Sequence, residues 1–356
     1  MIFASICKRM QMQTIESYSM TNLETIAKLA GVHPATVSRI LNGEENYKRP
    51  AYAKRARKIR ELARQLGYKP NAAARAIAKK RFGAIALLQH VCRNRSYLPQ
   101  CLLDGILNAT EQAGYSLHIG RVDDQQLADE EFVPNLLRNW NWDGLLVNVA
   151  VEPGPRLHQL LTHHHVPAVW LNVKHDHDCV YPDDFRAASE LTSRLLADGF
   201  RRLYYLGLGY HSPVQHYSKA DRCAGYQKAM HEAGLEAIVF TPDSEKKLHD
   251  ILDSTLTRDH SNGKKAAWIG YSKLEIEILL QRGVGQLGLN VPNEFCLATF
   301  GDDERLPPFC SYYMQAPRME LGQQGVKMLL KKISAASQML PAKALRWQLR
   351  YRTGTP

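Results

Sequence analysis

The sequence predicts two parts: a small all-α head carrying a helix-turn-helix, then an α/β core of two doubly wound parallel-sheet subdomains. Three observations predict this. Apolar residues recur at helical spacing on both sides of Ala30-Gly31-Val32. A strongly basic stretch surrounds that turn, with 15 Lys+Arg against 4 Asp+Glu in residues 20–81. From residue 83 onward, short apolar runs alternate with longer helical patterns.

The head reads element by element. Leu23, Ile26, Ala27 and Ala30 form one apolar stripe, and Val37, Ile40 and Leu41 form the next. Asn22 is the expected cap of the first helix. Pro34 suits the first turn of the second, where a missing N–H costs nothing. The second helix of such a motif can enter a DNA major groove. Pro50 opens a third helix over about 51–66, with Ala56, Ile59, Leu62, Ala63 and Leu66 on one face. Lys54, Arg55, Arg57, Lys58, Arg60 and Arg64 cover the rest, and Gly67 ends it. The chain's formal net charge is +11, whereas residues 82–356 hold 29 basic and 30 acidic residues. Nearly all the excess therefore sits beside the helix-turn-helix, as phosphate binding requires.

In the core, strands are expected at 84–88, 145–149, 168–171, 203–206, 266–269 and 296–300. Helices are expected at 100–113, 186–198, 221–233 and 274–286. These strands are too many for one modest sheet, hence two subdomains. No apolar run reaches the roughly 18 residues that span a bilayer. The seven cysteines show no CxxC pair and read as free thiols in a reducing cytosol.

L-E-T-I-A-K-L-A-G-V-H-P-A-T-V-S-R-I-L-N (23–42) resembles the lactose-repressor (LacI/GalR) family of bacterial transcription regulators. L-G-Y-K-P-N (66–71), A-R-A-I (74–77), V-P-A-V-W-L-N (166–172), D-R-C-A-G-Y (221–226) and V-P-N-E-F-C-L-A-T-F (291–300) follow in the family's order. The resemblance implies a periplasmic-binding-protein-like bilobed core with an effector, by default a sugar, between the lobes. It also implies a homodimer on pseudo-palindromic double-stranded operator DNA, and a cytoplasmic, nucleoid-associated repressor. The expected boundaries are an extension at 1–19, the head at 20–69, and a hinge helix and linker at 70–82. The first lobe is expected at about 83–180 and 310–338, the second at about 181–309 and 339–356. Residues 1–19 do not read as a signal peptide, since their apolar residues precede Lys8-Arg9, and as a terminal stretch they are expected to be poorly ordered.

The resemblance places Thr25, His33, Pro34, Ala35, Thr36, Ser38, Arg39, Asn42 and Tyr68 toward DNA. In the hinge it adds Asn71, Arg75 and Ile77, the last matching an apolar wedge that kinks a minor-groove step. Of Pro34, Ala35 and Arg39, only Arg39 can bridge guanine O6 and N7. Thr36 and Ser38 suit either phosphate contact or helix packing. His33 departs from the family's Ser or Thr and predicts a weaker cap, and Thr25 departs from a residue that is usually acidic. For the effector the resemblance implies Tyr97, Asn172, Arg222, Trp268, Tyr271, Ser272 and Asp302. Arg222 supplies a planar fork for two adjacent hydroxyls or a carboxylate.

Other chemistries are not supported. His163-His164-His165 and His175/His177 lack tetrahedral-site spacing with Cys or carboxylate, so no metal is expected. Gly207-Leu-Gly209 is a fragment of a dinucleotide fingerprint, and no cofactor is expected. No nucleophile set or acid/base pair points to an enzyme. The C-terminus shows no heptad run, which predicts a dimer rather than a tetramer. The alternative is a DNA-binding protein whose core is structural and ligand-free.

Overall fold

A computed structural model describes residues 22–41, 50–68, 81–91, 96–123, 125–126, 141–149, 154–209, 216–303, 305–335 and 338–352. The chain divides into two compact units, residues 1–82 and 83–356. Each has its own core.

The head contains α1 (Leu23–Ala30), α2 (Pro34–Leu41) and α3 (Pro50–Gln65). Asn22 Oδ1 accepts from the Thr25 N–H at 2.9 Å, satisfying one of the orphan donors that every helix start leaves. Gly31 ends α1 at φ 67°, a left-handed turn that a side chain would strain. Ile26, Ala27, Val37, Ile40, Ala56, Ile59 and Ala63 bury together, with Leu62 and Leu66 packed against them. This is the stripe expected from periodicity, and it leaves the basic side chains of α3 outside.

The core starts with β1 (Ala84–His90), α4 (Gln100–Gln112), β2 (Ser116–Val122), β3 (Gly144–Asn148), α5 (Gly154–His163), β4 (Ala168–Leu171) and β5 (Cys179–Pro182). It continues through α6 (Asp184–Ala197), β6 (Leu203–Leu206), α7 (Tyr217–Glu232), β7 (Ile238–Phe240), α8 (Glu245–Ser261), β8 (Ala266–Gly270) and α9 (Lys273–Leu280). A π-helical stretch at Gln281–Gln286 follows α9. Then come β9 (Phe295–Gly301), β10 (Tyr312–Gln315), α10 (Arg318–Ser334), β11 (Lys343–Leu345) and β12 (Gln348–Tyr351).

Two six-stranded sheets result, ordered β11-β5-β4-β3-β1-β2 and β12-β10-β9-β8-β6-β7. The first is parallel throughout, and the second is parallel except for β12 on β10. Both faces of each sheet are covered, so successive strand residues enter different clusters. Ala84, Ala86 and Leu88 face one side and Ile85 and Leu87 the other.

The lobe boundaries differ from those expected. β10 pairs with β9 in the second sheet, so the chain returns to the first lobe after Gln315, not at 310. α10 packs on α4 and on β3 and β4 of the first sheet, and β11 pairs with β5. The final crossing therefore lies between Leu345 and Gln348, not at 338. Strand pairing fixes both crossings, and local sequence pattern does not encode it. Among the described residues no helix is long and apolar enough to cross a membrane. No group of three His, Cys, Asp or Glu among them is arranged to hold a metal ion.

Candidate functional site

Two surfaces carry the expected site residues, one in each unit. In the head, Val37 and Ile40 turn α2's inner face into the core, leaving His33, Ala35 and Arg39 exposed. Pro34, Thr36 and Ser38 are half-buried, and Thr25 is exposed with its hydroxyl bonded to Asn22 Oδ1 at 3.0 Å. Arg39 Nε lies 3.4 Å from the Ala35 carbonyl oxygen, along the outer face of the helix. At His33, where a weaker cap is expected, Nδ1 accepts from the Ala35 N–H at 3.2 Å. Histidine's ring nitrogen here does what a Ser or Thr hydroxyl does at a helix start. Tyr68 packs its ring against the head core and is half-buried. Lys54, Arg55, Arg57, Lys58, Arg60 and Arg64 of α3 are exposed. Asn42, Asn71, Arg75 and Ile77 lie outside the described residues.

In the core, a cavity of about 150 Å³ opens between the lobes. Ser96, Tyr97 and Asn172 line it from the first lobe, and Asp184, His216, Ser218, Arg222 and Tyr271 from the second. Arg318 and Trp347, each at a crossing between lobes, complete the wall.

Arg222 is 8% exposed. Its Nε donates to Asp184 Oδ1 at 2.7 Å and its Nη1 to the Tyr271 carbonyl at 2.6 Å. Its guanidinium carbon stands 4.8, 4.6 and 4.9 Å from the ring centroids of Tyr271, Phe300 and Trp347. Burial opposes the charge, but Asp184 and the neighbouring tyrosines more than offset it, so the Arg222 pKa is raised. Gly225, one turn further along α7, permits this arrangement. A Cβ there would stand 2.2 Å from the Phe185 carbonyl oxygen of α6.

Asn172 ends β4 in the left-handed region at φ 60°. Its Oδ1 accepts from Arg318 Nη1 at 3.0 Å, and its carbonyl accepts from His216 Nε2 at 2.8 Å. Arg318 Nε also donates to Asp302 Oδ1 at 2.5 Å. Burial again opposes the charge of Arg318 and Asp302 outweighs it, leaving the pKa raised. Because His216 Nε2 donates to a carbonyl, Nδ1 is the acceptor of the neutral ring. Ser218 Oγ therefore donates to Nδ1 at 2.7 Å, and the Tyr271 hydroxyl donates to Ser218 Oγ at 2.9 Å. Burial lowers the His216 pKa, with Arg222 and Arg318 adding to it against the Asn172 carbonyl and Asp184.

Of the expected effector residues, the cavity brings together Tyr97, Asn172, Arg222 and Tyr271. Asp302 lines a separate hollow that shares Arg318 with the cleft, and it meets the cavity wall through Arg318 and Tyr97. Two expectations are corrected. Trp268 is fully buried among Tyr204, Phe240 and the α8 leucines, on the face of its sheet opposite Ala267 and Ile269. Ser272 caps α9 in a capping box with Glu275, its Oγ bonded to Oε2 at 2.6 Å. Neither side chain belongs to the cavity wall. Sequence reasoning missed Ser96, Asp184, His216, Ser218, Arg318 and Trp347. One signal was available for Arg318: a cation just after Pro317 at a helix start opposes the helix dipole and asks for a carboxylate partner.

Residues 22–71 match the model for bacterial regulatory proteins of the lacI family. Residues 95–259 match that for periplasmic binding proteins and the sugar binding domain of the LacI family. Catabolite control protein A of Priestia megaterium is 26% identical over 322 residues, covering 86% of this chain and 90% of that protein. The HTH-type transcriptional regulator GntR of Pseudomonas aeruginosa is 26% identical over 320 residues, covering 88% and 89%. Among solved structures, the lac repressor dimer bound to operator and the anti-inducer ONPF superposes with a TM-score of 0.68 at 19% identity. That match covers 94% of this chain and 99% of the other. A LacI family regulator from Enterococcus faecium with bound ribose gives a TM-score of 0.57 at 19% identity, covering 76% and 98%.

Proposed function

Since the chain belongs to the LacI family of bacterial regulatory proteins and is a DNA-binding transcriptional regulator, we propose that it is a cytoplasmic repressor controlled by a small sugar. In this reading it acts as a homodimer, each head reading half of a pseudo-palindromic operator. Its domains are the head at 20–69, a hinge at 70–82 and the bilobed core beyond. The lac repressor structure, a dimer on operator, supports that assembly.

The observation that carries the sugar reading is the wall of the cleft. Both cleft arginines already hold a carboxylate, Arg222 with Asp184 and Arg318 with Asp302, so the wall is electrically balanced. A balanced wall of hydrogen-bonding groups and aromatic rings suits a neutral polyol, whose hydroxyls take the polar contacts and whose C–H faces meet the rings. A cavity of about 150 Å³ is below the roughly 300–1,000 Å³ of pockets for drug-sized ligands, which favours a monosaccharide. With Nε and one Nη1–H of Arg222 given to Asp184 and the Tyr271 carbonyl, its other N–H groups are offered to adjacent hydroxyls, with Tyr97, Asn172 and Tyr271 around it. Asp302 acts through Arg318.

On DNA, Arg39 reads guanine from the outer face of α2. Pro34 and Ala35 make apolar contact, and Thr25, His33, Thr36, Ser38, Asn42 and Tyr68 meet the backbone. Asn71, Arg75 and Ile77 form the hinge contacts. Sugar binding between the lobes then changes DNA affinity, with reciprocal coupling.

Arg39→Ala tests the recognition helix. A duplex library selected on this variant should show relaxed preference at one position of each half-site. The loss there should be about 1–3 kcal/mol, as for a broken bidentate base contact. Uniform weakening across all sequences would contradict a base-reading role.

A further inference from the structure

We propose that the hollow beside the cleft, at the two crossings between lobes, is a second ligand site that takes a small, multiply charged oxyanion. This goes beyond the sugar reading of the cleft and does not depend on it.

The hollow begins with an alternation near the end of the chain. In Arg346-Trp347-Gln348-Leu349-Arg350, Trp347 and Leu349 pack into the core of the second lobe. Arg346, Gln348 and Arg350 therefore fall on the opposite side. There they line a cavity of about 490 Å³, joined by Gln315, Arg318 and Asp302. Gln315 belongs to the same face, since it stands directly opposite Gln348 across the β10–β12 pair.

The charges of this wall do not balance. Arg318 is matched by Asp302, Nε donating to Oδ1 at 2.5 Å. Arg346 holds only a share of a carboxylate, because Glu190 Oε1 accepts from its Nη2 at 2.9 Å and from Arg186 Nε at 2.7 Å. Among the described residues Arg350 meets amide oxygens alone. Its Nε donates to Gln315 Oε1 at 2.7 Å, and its Nη2 lies 3.4 Å from Gln348 Oε1. A guanidinium has no acceptor, so each amide must turn its oxygen to Arg350, which leaves both NH2 groups as donors. Glu320 is the other carboxylate of the wall and is exposed.

Three guanidiniums and two amide donors thus face two carboxylates, one of them already taken. Such a wall selects a ligand rich in acceptors and negative charge. A phosphate or carboxylate group also matches the planar donors of arginine two oxygens at a time. A neutral polyol would leave the charge of Arg350 unanswered. The volume falls within the roughly 300–1,000 Å³ of small-molecule pockets, so an organic body fits beside the anionic group. The wall takes Gln315–Arg318 from one crossing and Arg346–Gln348 from the other. An occupant touches both and so bears on how the lobes close.

Tryptophan fluorescence of the full chain reads the site, because all five tryptophans lie beyond residue 82 and outside the basic head. Trp347 stands between two residues of the wall. The probes are inorganic phosphate, glycerol 3-phosphate and citrate at one ionic strength, with glycerol as the neutral control. Saturable binding of at least one anion is expected, and none of glycerol. The tighter of glycerol 3-phosphate and citrate shows whether phosphate or clustered carboxylate supplies the charge. Arg350→Gln should weaken binding by about tenfold to a hundredfold, as for a lost hydrogen bond to a charged group. Arg350→Lys should recover only part of that loss, since an ammonium lacks the fork. Parent-like affinity in Arg350→Gln overturns the inference, because the anion would then sit in the cleft or on the head. Glycerol binding as tight as the anions also overturns it, as does the absence of a saturable response to all three. Should Arg350→Gln fail to fold, Arg346→Gln decides. Its side chain is 66% exposed, so a loss of about two- to fivefold is expected, and unchanged affinity overturns the inference.

Discussion

Arg222→Met should lose sugar binding by about 30-fold or more, the scale for truncating a buried charged hydrogen-bonding partner. The same change should destabilise the core, because Asp184 is left buried beside it without its counter-charge. Breaking a buried pair on one side costs about 3–5 kcal/mol, whereas replacing both members by neutral groups of similar volume is often nearly neutral. Arg222→Met with Asp184→Asn should therefore regain most of the lost stability while remaining unable to bind sugar. Thermal unfolding and isothermal titration of the two variants separate the roles. Sugar binding that survives in the double variant would remove Arg222 from the ligand site and leave it a structural arginine. Arg222→Lys is not expected to rescue, since an ammonium has one nitrogen where the fork serves both Asp184 and the Tyr271 carbonyl.

Gly225→Ala should be the next most damaging single change. Its added methyl would meet a backbone carbonyl at 2.2 Å, not the end of a flexible side chain. The close approach of α6 and α7 must then open, at about 1–3 kcal/mol for overpacking and more where backbone cannot yield. The displaced carbonyl belongs to Phe185, the residue after Asp184, so the Asp184–Arg222 pair should loosen with it. A lower unfolding midpoint together with weaker sugar binding is the expected result. Gly285→Ala is the control, because the added Cβ would come no nearer than 4.0 Å, to the Leu280 carbonyl oxygen, and stability should change little. Equal midpoints for Gly225→Ala and Gly285→Ala would mean that the helix approach is not tightly packed.

Particular residues show where the sequence was legible. The head followed from periodicity because its helices are amphipathic: Ile26, Val37, Ile40 and Ile59 are all buried as their spacing requires. The α/β alternation was equally clear. The cleft was harder because both faces of each sheet are covered. A strand such as β8 then lacks the polar alternation that separates core from cleft, and Trp268 looked as available as Tyr271. Ser272 was a different case. Ser272-Lys-Leu-Glu275 is a capping-box sequence, and its helix-start role could have been read directly. The remaining cleft residues were hidden by distance. Asn172 meets Arg318, 146 residues further on, only because β4 ends and α10 begins at the same opening. Likewise, β10 and β11 reveal their lobes only through pairing with β9 and β5.

The central claim is that occupation of the cleft and occupation of DNA are coupled in one regulator. The most direct measurement takes a monosaccharide that raises the core's unfolding temperature and the duplex enriched by the parent chain. Duplex affinity is titrated with and without the sugar, and sugar affinity with and without the duplex. The account predicts that each ligand changes the other's affinity by the same factor, and that Arg222→Met abolishes the effect. Sugar that binds the parent chain while leaving duplex affinity unchanged would contradict it.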